Sequence, residues 1–402
     1  MQFHILDENQ TDILQGRKDL LLYVHIPFCV RKCDYCDFLS GPVGELEREQ
    51  YVHALCKEIA LHKDMAKGYV IRSIFFGGGT PSILKEEQIT KIMRTIRRTF
   101  LIDEDAEITI ECNPGTVTKE KARCYRRLGI NRISIGLQST QNYELKSIGR
   151  IHTYDEFLDS YYIFRECGFS NINIDLMSAL PGQSLDSYKE TLDRVIHLEP
   201  EHISAYSLIL EEGTRLYDRV LAEKKKGISS LPDEETERVM DLVTREKLED
   251  AGYKRYEISN YAKSGYHCRH NTGYWKRTPY LGVGIGAASL IEESRFNKIG
   301  DREEYVSRLE NDHLLLNDVC EEITLLTVEE QMEETMFLGL RMIEGISKST
   351  FLENFQVPVE EVYGKVLQKL EIEALLEQDD KSIWLTETGL DVSNQVLAEF
   401  LF

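Results

Sequence analysis

The chain has 402 residues, of which 42% are hydrophobic, enough to build the cores of two or three domains, and this excludes a disordered chain. Its formal charge of −21 repels phosphate backbones and disfavours nucleic acid as a partner. No stretch reaches the ~18 uninterrupted apolar residues of a membrane span, and the first residues lack the pattern of a secretion signal. We therefore expect a cytoplasmic protein without a membrane span.

After an N-terminal extension over residues 1–19, the region 20–210 alternates short β-rich runs with amphipathic helical stretches. This alternation predicts strands over residues 20–26, 74–76, 107–111, 132–137, 171–176 and 202–207. Repeated βα units imply a parallel sheet, and six of them can form either an open barrel or a doubly wound sheet.

The faces of the predicted strands favour the barrel. Strands covered on both faces are usually apolar throughout, whereas these strands alternate, as in Glu107, Thr109 and Glu111. Gln138 and Asp175 continue the polar face on later strands. The predicted fold class is therefore α/β, a partial (β/α)6 barrel with a polar interior, and its site is expected at the carboxyl ends of the strands.

The remaining sequence predicts two further regions. Residues 211–320 are predicted to hold an exposed insertion, a helix over 233–251, and an aromatic segment that returns to the barrel mouth. Residues 321–402 are predicted to form a small helical domain of winged-helix type, with a hairpin around residues 378–382. The acidic character of this domain argues against DNA binding.

The nine cysteines are unevenly distributed. Cys56 and Cys124 follow the apolar spacing of a helix and are predicted to be buried. Cys29, Cys33 and Cys36, in contrast, fall on one short loop directly after the first predicted strand. Three thiolates on one loop can ligate three corners of a [4Fe–4S] cluster and leave the fourth iron open for a small molecule. The alternative is a zinc site that also uses the nearby histidine.

The spacing Cys-x3-Cys-x2-Cys after the first strand resembles the signature of the radical S-adenosylmethionine superfamily. This resemblance implies that the methionine moiety of S-adenosylmethionine occupies the open iron, and that an electron from the cluster cleaves the sulfonium to give a 5′-deoxyadenosyl radical. The run of residues 76–81, Phe-Gly-Gly-Gly-Thr-Pro, resembles the glycine motif that meets the methionine amino group in this family.

Within the superfamily, the chain most closely resembles the coproporphyrinogen oxidase-like branch and its HemW-like haem chaperones. The similar motifs lie at residues 23–38, 76–82, 111–114, 136–139, 149–152, 173–176, 180–183 and 202–207. The resemblance implies that nine residues bind S-adenosylmethionine: Tyr23, Tyr35, Gly78, Gly79, Thr80, Glu111, Gln138, Arg150 and Asp175. It assigns no catalytic residue.

One departure bears on the function. Oxygen-independent coproporphyrinogen III oxidases carry a further cysteine two positions after the third, where this chain has Phe38. The segment 270–275 matches the HNxxYW motif associated with haem handling, and it predicts His270 as an exposed axial ligand, with Cys268 as a weaker candidate. The resemblance therefore implies a haem chaperone with haem as cargo and a haemoprotein recipient, expected to be respiratory and membrane-associated. The oxidase is the alternative.

Overall fold

The computed structural model describes residues 16–311 and 313–401. Six parallel strands lie side by side in sequence order: β1 (Lys18–Ile26), β2 (Tyr69–Gly78), β3 (Ile102–Cys112), β4 (Arg132–Gln138), β5 (Ile172–Ser178) and β6 (His202–Ser207). All six predicted strands are present, most of them longer than predicted. Most of the predicted extension, residues 1–15, lies outside the described residues. In the described part of the chain, no helix is long and apolar enough to cross a membrane.

Helices cover the outer face of these strands. They are α1 (Glu45–Leu61), α2 (Glu86–Thr99), α3 (Lys119–Arg127), α4 (Asn142–Ser147), α5 (Tyr154–Glu166) and α6 (Leu185–His197). The side chains of Thr118, Thr153 and Ser184 accept hydrogen bonds from the first turns of α3, α5 and α6, which fixes where these helices begin. Cys56 in α1 and Cys124 in α3 are buried, as predicted.

The other face of the strands encloses a polar interior. Asn173 donates to Ser134 Oγ at 2.8 Å, and its own side-chain oxygen lies 2.6 Å from His202 Nδ1. All three residues are buried, so their hydrogen bonds replace those to water. The polar residues that alternate along the predicted strands thus line an enclosed, hydrogen-bonded lumen.

The chain after β6 widens the sheet at both edges. It contains α7 (Arg215–Lys224), α8 (Glu234–Asp250), β7 (Lys254–Arg255), β8 (Asn260–Ala262), α9 (Arg269–Trp275), β9 (Tyr280–Val283), β10 (Ala288–Ile291), β11 (Ser294–Lys298), α10 (Arg302–Glu310) and β12 (Cys320–Leu325). β8 pairs with β6, and β9 pairs with β1. The described residues therefore form a twelve-stranded sheet in the order β12-β11-β10-β9-β1-β2-β3-β4-β5-β6-β8-β7.

Helix α9 lies inside the barrel, and its Asn271 lines the same cavity as Cys29, Cys33 and Cys36. The Glu107 carboxylate, near the middle of β3, accepts from the backbone N–H groups of Arg269 and His270 at 3.2 and 3.3 Å. A carboxylate at a helix N-terminus satisfies free backbone donors and complements the helix dipole. Glu107 thereby draws α9 into the lower lumen, beneath the carboxyl ends of the strands.

The C-terminal region forms a second core. It contains α11 (Val328–Gly339), β13 (Ile346–Ser347), α12 (Lys348–Phe355), α13 (Val359–Ile372), β14 (Leu376–Gln378), β15 (Ser382–Leu385), α14 (Glu387–Asp391) and α15 (Ser393–Ala398). Phe351, Tyr363 and Phe400 pack together in its interior. The predicted hairpin is β14–β15. Because β12 belongs to the large sheet, the helical domain begins after Leu325 rather than at residue 321.

Candidate cofactor site at the carboxyl ends of the strands

The three-cysteine loop follows β1 and is held at its base and at its tip. Cys29 N–H donates to the Gly41 carbonyl at 3.2 Å, which closes the base of the loop. At the tip, Asp34 N–H donates to the Ile148 carbonyl at 3.0 Å, and Leu216 N–H donates to the Asp34 carbonyl at 2.8 Å. Backbone contacts with two distant segments therefore position the loop before any ligand binds.

The three thiols suit a cluster better than a single metal ion. Cys29, Cys33 and Cys36 line one cavity of about 540 Å³ and form no disulfides. Within residues 16–311 and 313–401, no three metal-binding side chains converge on one ion position. A cubane does not require such convergence, because each cysteine ligates a different iron. His25 is not placed as a zinc ligand, since its ring nitrogens bond to the Tyr23 hydroxyl and the Leu39 carbonyl at 3.0 and 3.1 Å.

Burial disfavours the thiolate form of two of the three cysteines. Burial raises the pKa of the Cys29 thiol, and it also raises the pKa of Cys33, where the Arg150 guanidinium opposes the shift. These thiols therefore prefer to stay protonated until metal binding releases their protons. The residues present fit a [4Fe–4S] cluster on this loop.

The glycine motif at the end of β2 packs directly against the same loop. Gly79 lies so close to it that a Cβ would stand 2.6 Å from the Phe28 carbonyl oxygen. Gly78 has a φ of +106°, and a Cβ there would meet the His25 ring. Thr80 N–H donates to the Phe28 carbonyl at 2.7 Å. Glycine is required at both positions, for close approach at one and for backbone conformation at the other.

Two partly buried carboxyl groups, Glu111 and Asp175, line the same cavity. Burial raises the pKa of Glu111 to about 8, and the neighbouring Asp175 adds repulsion. Burial also raises the pKa of Asp175, against the hydrogen bond that Asn173 donates to it at 2.6 Å. Glu111 also accepts from the Gly78 N–H at 3.1 Å. Such a pair favours a ligand that brings hydroxyl donors and positive charge. S-adenosylmethionine has both.

Arg150, Gln138 and Tyr35 complete the wall. Arg150 donates to Asn113 Oδ1 at 2.7 Å and lies over the Tyr35 ring, 6.0 Å from its centroid. The Gln138 side-chain oxygen accepts from the Tyr206 hydroxyl at 3.2 Å. The sequence assigned no role to Asn113 or Tyr206, although both lie in motifs that it singled out. Their polar side chains within those motifs were the signal that could have identified them as site residues.

Tyr23 is not among the residues that line this cavity. The other residues assigned to S-adenosylmethionine line it together: Tyr35, Gly78, Gly79, Thr80, Glu111, Gln138, Arg150 and Asp175. Tyr23 instead lines a neighbouring cavity on the other side of the cluster loop. The structure therefore groups eight of the nine residues and places the ninth next to them.

His270 differs most from its sequence interpretation. It is 1% exposed, so the prediction of an exposed ligand is wrong. Its Nδ1 lies 2.8 Å from Ser73 Oγ, its Nε2 lies 3.0 Å from the Tyr274 hydroxyl, and its ring stacks on Phe75. Cys268 is also fully buried, beside Glu107. Both ring nitrogens of His270 are engaged because α9 enters the lumen.

A partial barrel with a three-cysteine loop after its first strand and a glycine motif after its second defines a radical S-adenosylmethionine protein. Two family models agree: Radical SAM superfamily matches residues 23–195, and HemN C-terminal domain matches residues 326–392. This class implies a [4Fe–4S] cluster and S-adenosylmethionine.

Similar proteins of known family identify the branch of the superfamily to which the chain belongs. The chain is 36% identical to the heme chaperone HemW of Bacillus subtilis (strain 168), over 94% of this chain and 98% of the relative. It is 40% identical to the heme chaperone HemW of Escherichia coli (strain K12), over 68% and 70%. It therefore belongs to the HemW family of heme chaperones. The structure of the coproporphyrinogen III oxidase HemN from Escherichia coli covers 98% of this chain and 93% of that one, with a TM-score of 0.82 at 23% identity, and shows the shared fold.

Proposed function

We propose that this chain binds haem and delivers it to a recipient haemoprotein, and that it carries a [4Fe–4S] cluster and S-adenosylmethionine at the site described above. One observation carries the proposal: a cavity lined by three cysteine thiols and two partly buried carboxyl groups lies in a chain of the HemW family. Haem as cargo rests on the names of the relatives. The recipient, and the cytoplasmic location expected from the sequence, stay predictions.

The proposed roles of the site residues follow from their chemistry. Cys29, Cys33 and Cys36 would hold the cluster, which when bound supplies the electron for cleavage of the sulfonium. The Arg150 guanidinium suits a carboxylate, and Glu111 can accept from ribose hydroxyls. These residues bind and orient the cofactor, and none of them is assigned a proton-transfer step.

Phe38 supports the chaperone over the oxidase. Its side chain is 60% exposed on the cluster loop, at the position where the oxidases carry their further cysteine. A phenyl ring cannot replace a thiol as a metal ligand or in redox chemistry. The fold that this chain shares with the oxidase HemN does not decide between the two functions, because one fold hosts many activities.

A turnover assay separates the two functions. The chain, reconstituted with iron and sulfide without oxygen, is incubated with S-adenosylmethionine, a reductant and coproporphyrinogen III. We expect no decarboxylated porphyrinogen, together with stoichiometric binding when haem is added instead. Cluster-dependent decarboxylation, lost in Cys33→Ala, without haem binding in the wild type would overturn the proposal in favour of the oxidase.

A further inference from the structure

A second cavity lies beside the cluster loop and next to the site already described. Its volume is about 760 Å³, within the range of ligand pockets. Aromatic side chains from three elements form much of its wall: Tyr274 and Trp275 of α9, Tyr280 of β9 and Phe337 of α11. Aromatic walls of this kind favour a large, flat, apolar ligand.

The same cavity also carries polar groups, among them two arginines and the Asp37 carboxyl group. Arg277 and Arg295 both line it: Arg277 donates to the Glu334 carboxylate at 3.0 Å, and Arg295 forms an ion pair with the same carboxylate at 2.7 Å. This shared carboxylate holds the two guanidinium groups in place. The Arg295 side chain keeps 38% of its surface exposed, so its guanidinium can donate to a further acceptor in the cavity.

We propose that this cavity is the haem site, with the porphyrin packed between the aromatic walls and a propionate accepting from the exposed part of the Arg295 guanidinium. Haem combines a flat apolar ring with two carboxylates on one edge, which matches both sets of groups. The assignment rests on the proposed function. It replaces the axial ligation by His270 expected from the sequence, because that imidazole is enclosed and hydrogen-bonded within the lumen.

The cavity offers no free imidazole to the haem iron. Of the histidines in the described part of the chain, His25 alone lines it, and the ring nitrogens of His25 bond to the Tyr23 hydroxyl and the Leu39 carbonyl. Packing and propionate pairing then hold the haem without a strong bond from the protein to iron. Such a site suits a carrier, since release requires no cleavage of a metal–ligand bond.

The cavity also adjoins the cofactor site. Asp37 and Phe38 of the cluster loop line both cavities. The exposed Phe38 ring thus forms part of the boundary between the proposed haem site and the proposed cofactor site. This gives the phenyl side chain a role at the position where the oxidases carry a cysteine: it provides apolar contact for the porphyrin.

Haem titration of variants, followed by the Soret band, tests the site. Ala288→Trp adds an indole at an exposed position in the cavity wall, and Arg295→Gln removes the guanidinium. We expect at least about tenfold weaker binding for the first variant and about three- to tenfold weaker binding for the second. Arg238→Gln, which removes an exposed arginine outside the cavity, is the matched control and is expected to bind as the wild type does.

Tryptophan fluorescence gives a readout that does not depend on these variants. The chain has two tryptophans, so Trp384→Phe leaves Trp275 as the sole emitter. We expect haem to quench its emission almost completely at saturation. Unchanged affinity in both cavity variants, with Trp275 emission largely retained, would place haem elsewhere and overturn the inference. A wild-type chain that binds no haem would instead overturn the proposed function.

Discussion

Replacing His270 with alanine tests whether this histidine is structural. The substitution leaves the buried Ser73 Oγ and the partly buried Tyr274 hydroxyl without their partner. An unpaired buried polar group costs about 1–3 kcal/mol, and the lost contact with the Phe75 ring adds to this. We therefore expect the free energy of unfolding to fall by about 3–5 kcal/mol.

The pH dependence of stability tests the structural role of His270 independently. Burial lowers the pKa of His270 from 6.5 to about 3, so the folded chain keeps the imidazole neutral while the unfolded chain protonates it. This contribution to stability is present above pH 6.5 and is lost as the pH falls toward 3. Between about pH 7 and pH 5, the wild type should therefore lose about 2 kcal/mol more than His270→Ala.

Urea unfolding followed by circular dichroism at both pH values measures these changes. His53→Ala, which removes an exposed histidine from α1, is the matched control and should change stability by less than about 0.5 kcal/mol. If His270→Ala lost less than about 1 kcal/mol of stability and yet abolished haem binding, the reasoning would be refuted. His270 would then act as a ligand despite its burial.

Three further variants test other parts of the account. Cys33→Ala should lose most of the about four iron atoms per reconstituted chain, measured by iron and sulfide analysis, and full retention would contradict the cluster assignment. Glu111→Ala should weaken S-adenosylmethionine binding by about 1–3 kcal/mol in equilibrium dialysis, and unchanged affinity would remove it from the site. Lys298→Met leaves the buried Glu58, now 3.1 Å from the Lys298 ammonium, without that partner and should cost about 3–5 kcal/mol in urea unfolding. Lys67→Met, which removes one partner of an exposed ion pair, is the control and should cost less than about 1 kcal/mol. Equal losses in the two variants would refute the greater weight given to the buried pair.

Strand positions and the polar lumen could be predicted because they rest on local periodicity. Glu107 and Glu111 lie four residues apart on one strand, and that even spacing places both on one face whatever the tertiary structure. The cluster loop was equally accessible, because its three cysteines are close in sequence. The strands that widen the sheet were not predicted, since β7 and β8 have two and three residues and carry almost no periodic signal.

The burial of His270 could not be read from sequence for a different reason. The sequence of an aromatic turn that contains a histidine is the same whether the turn faces solvent or enters a lumen. The deciding contacts come from Ser73 and Glu107, which lie far away in the chain. The hydrogen bond between Arg150 and Asn113 is hidden in the same way. Local pattern thus predicts which residues face inward, and long-range contacts decide what they touch.

Haem stoichiometry tests the central claim most directly. The reconstituted chain is mixed with excess haem, separated by gel filtration, and its haem is counted by the pyridine haemochrome spectrum. We predict about one intact haem per chain, because one cavity of suitable size and lining is assigned to it. Recovery of the folded, cluster-loaded chain without haem would contradict the account and leave the oxidase as the better reading of this fold.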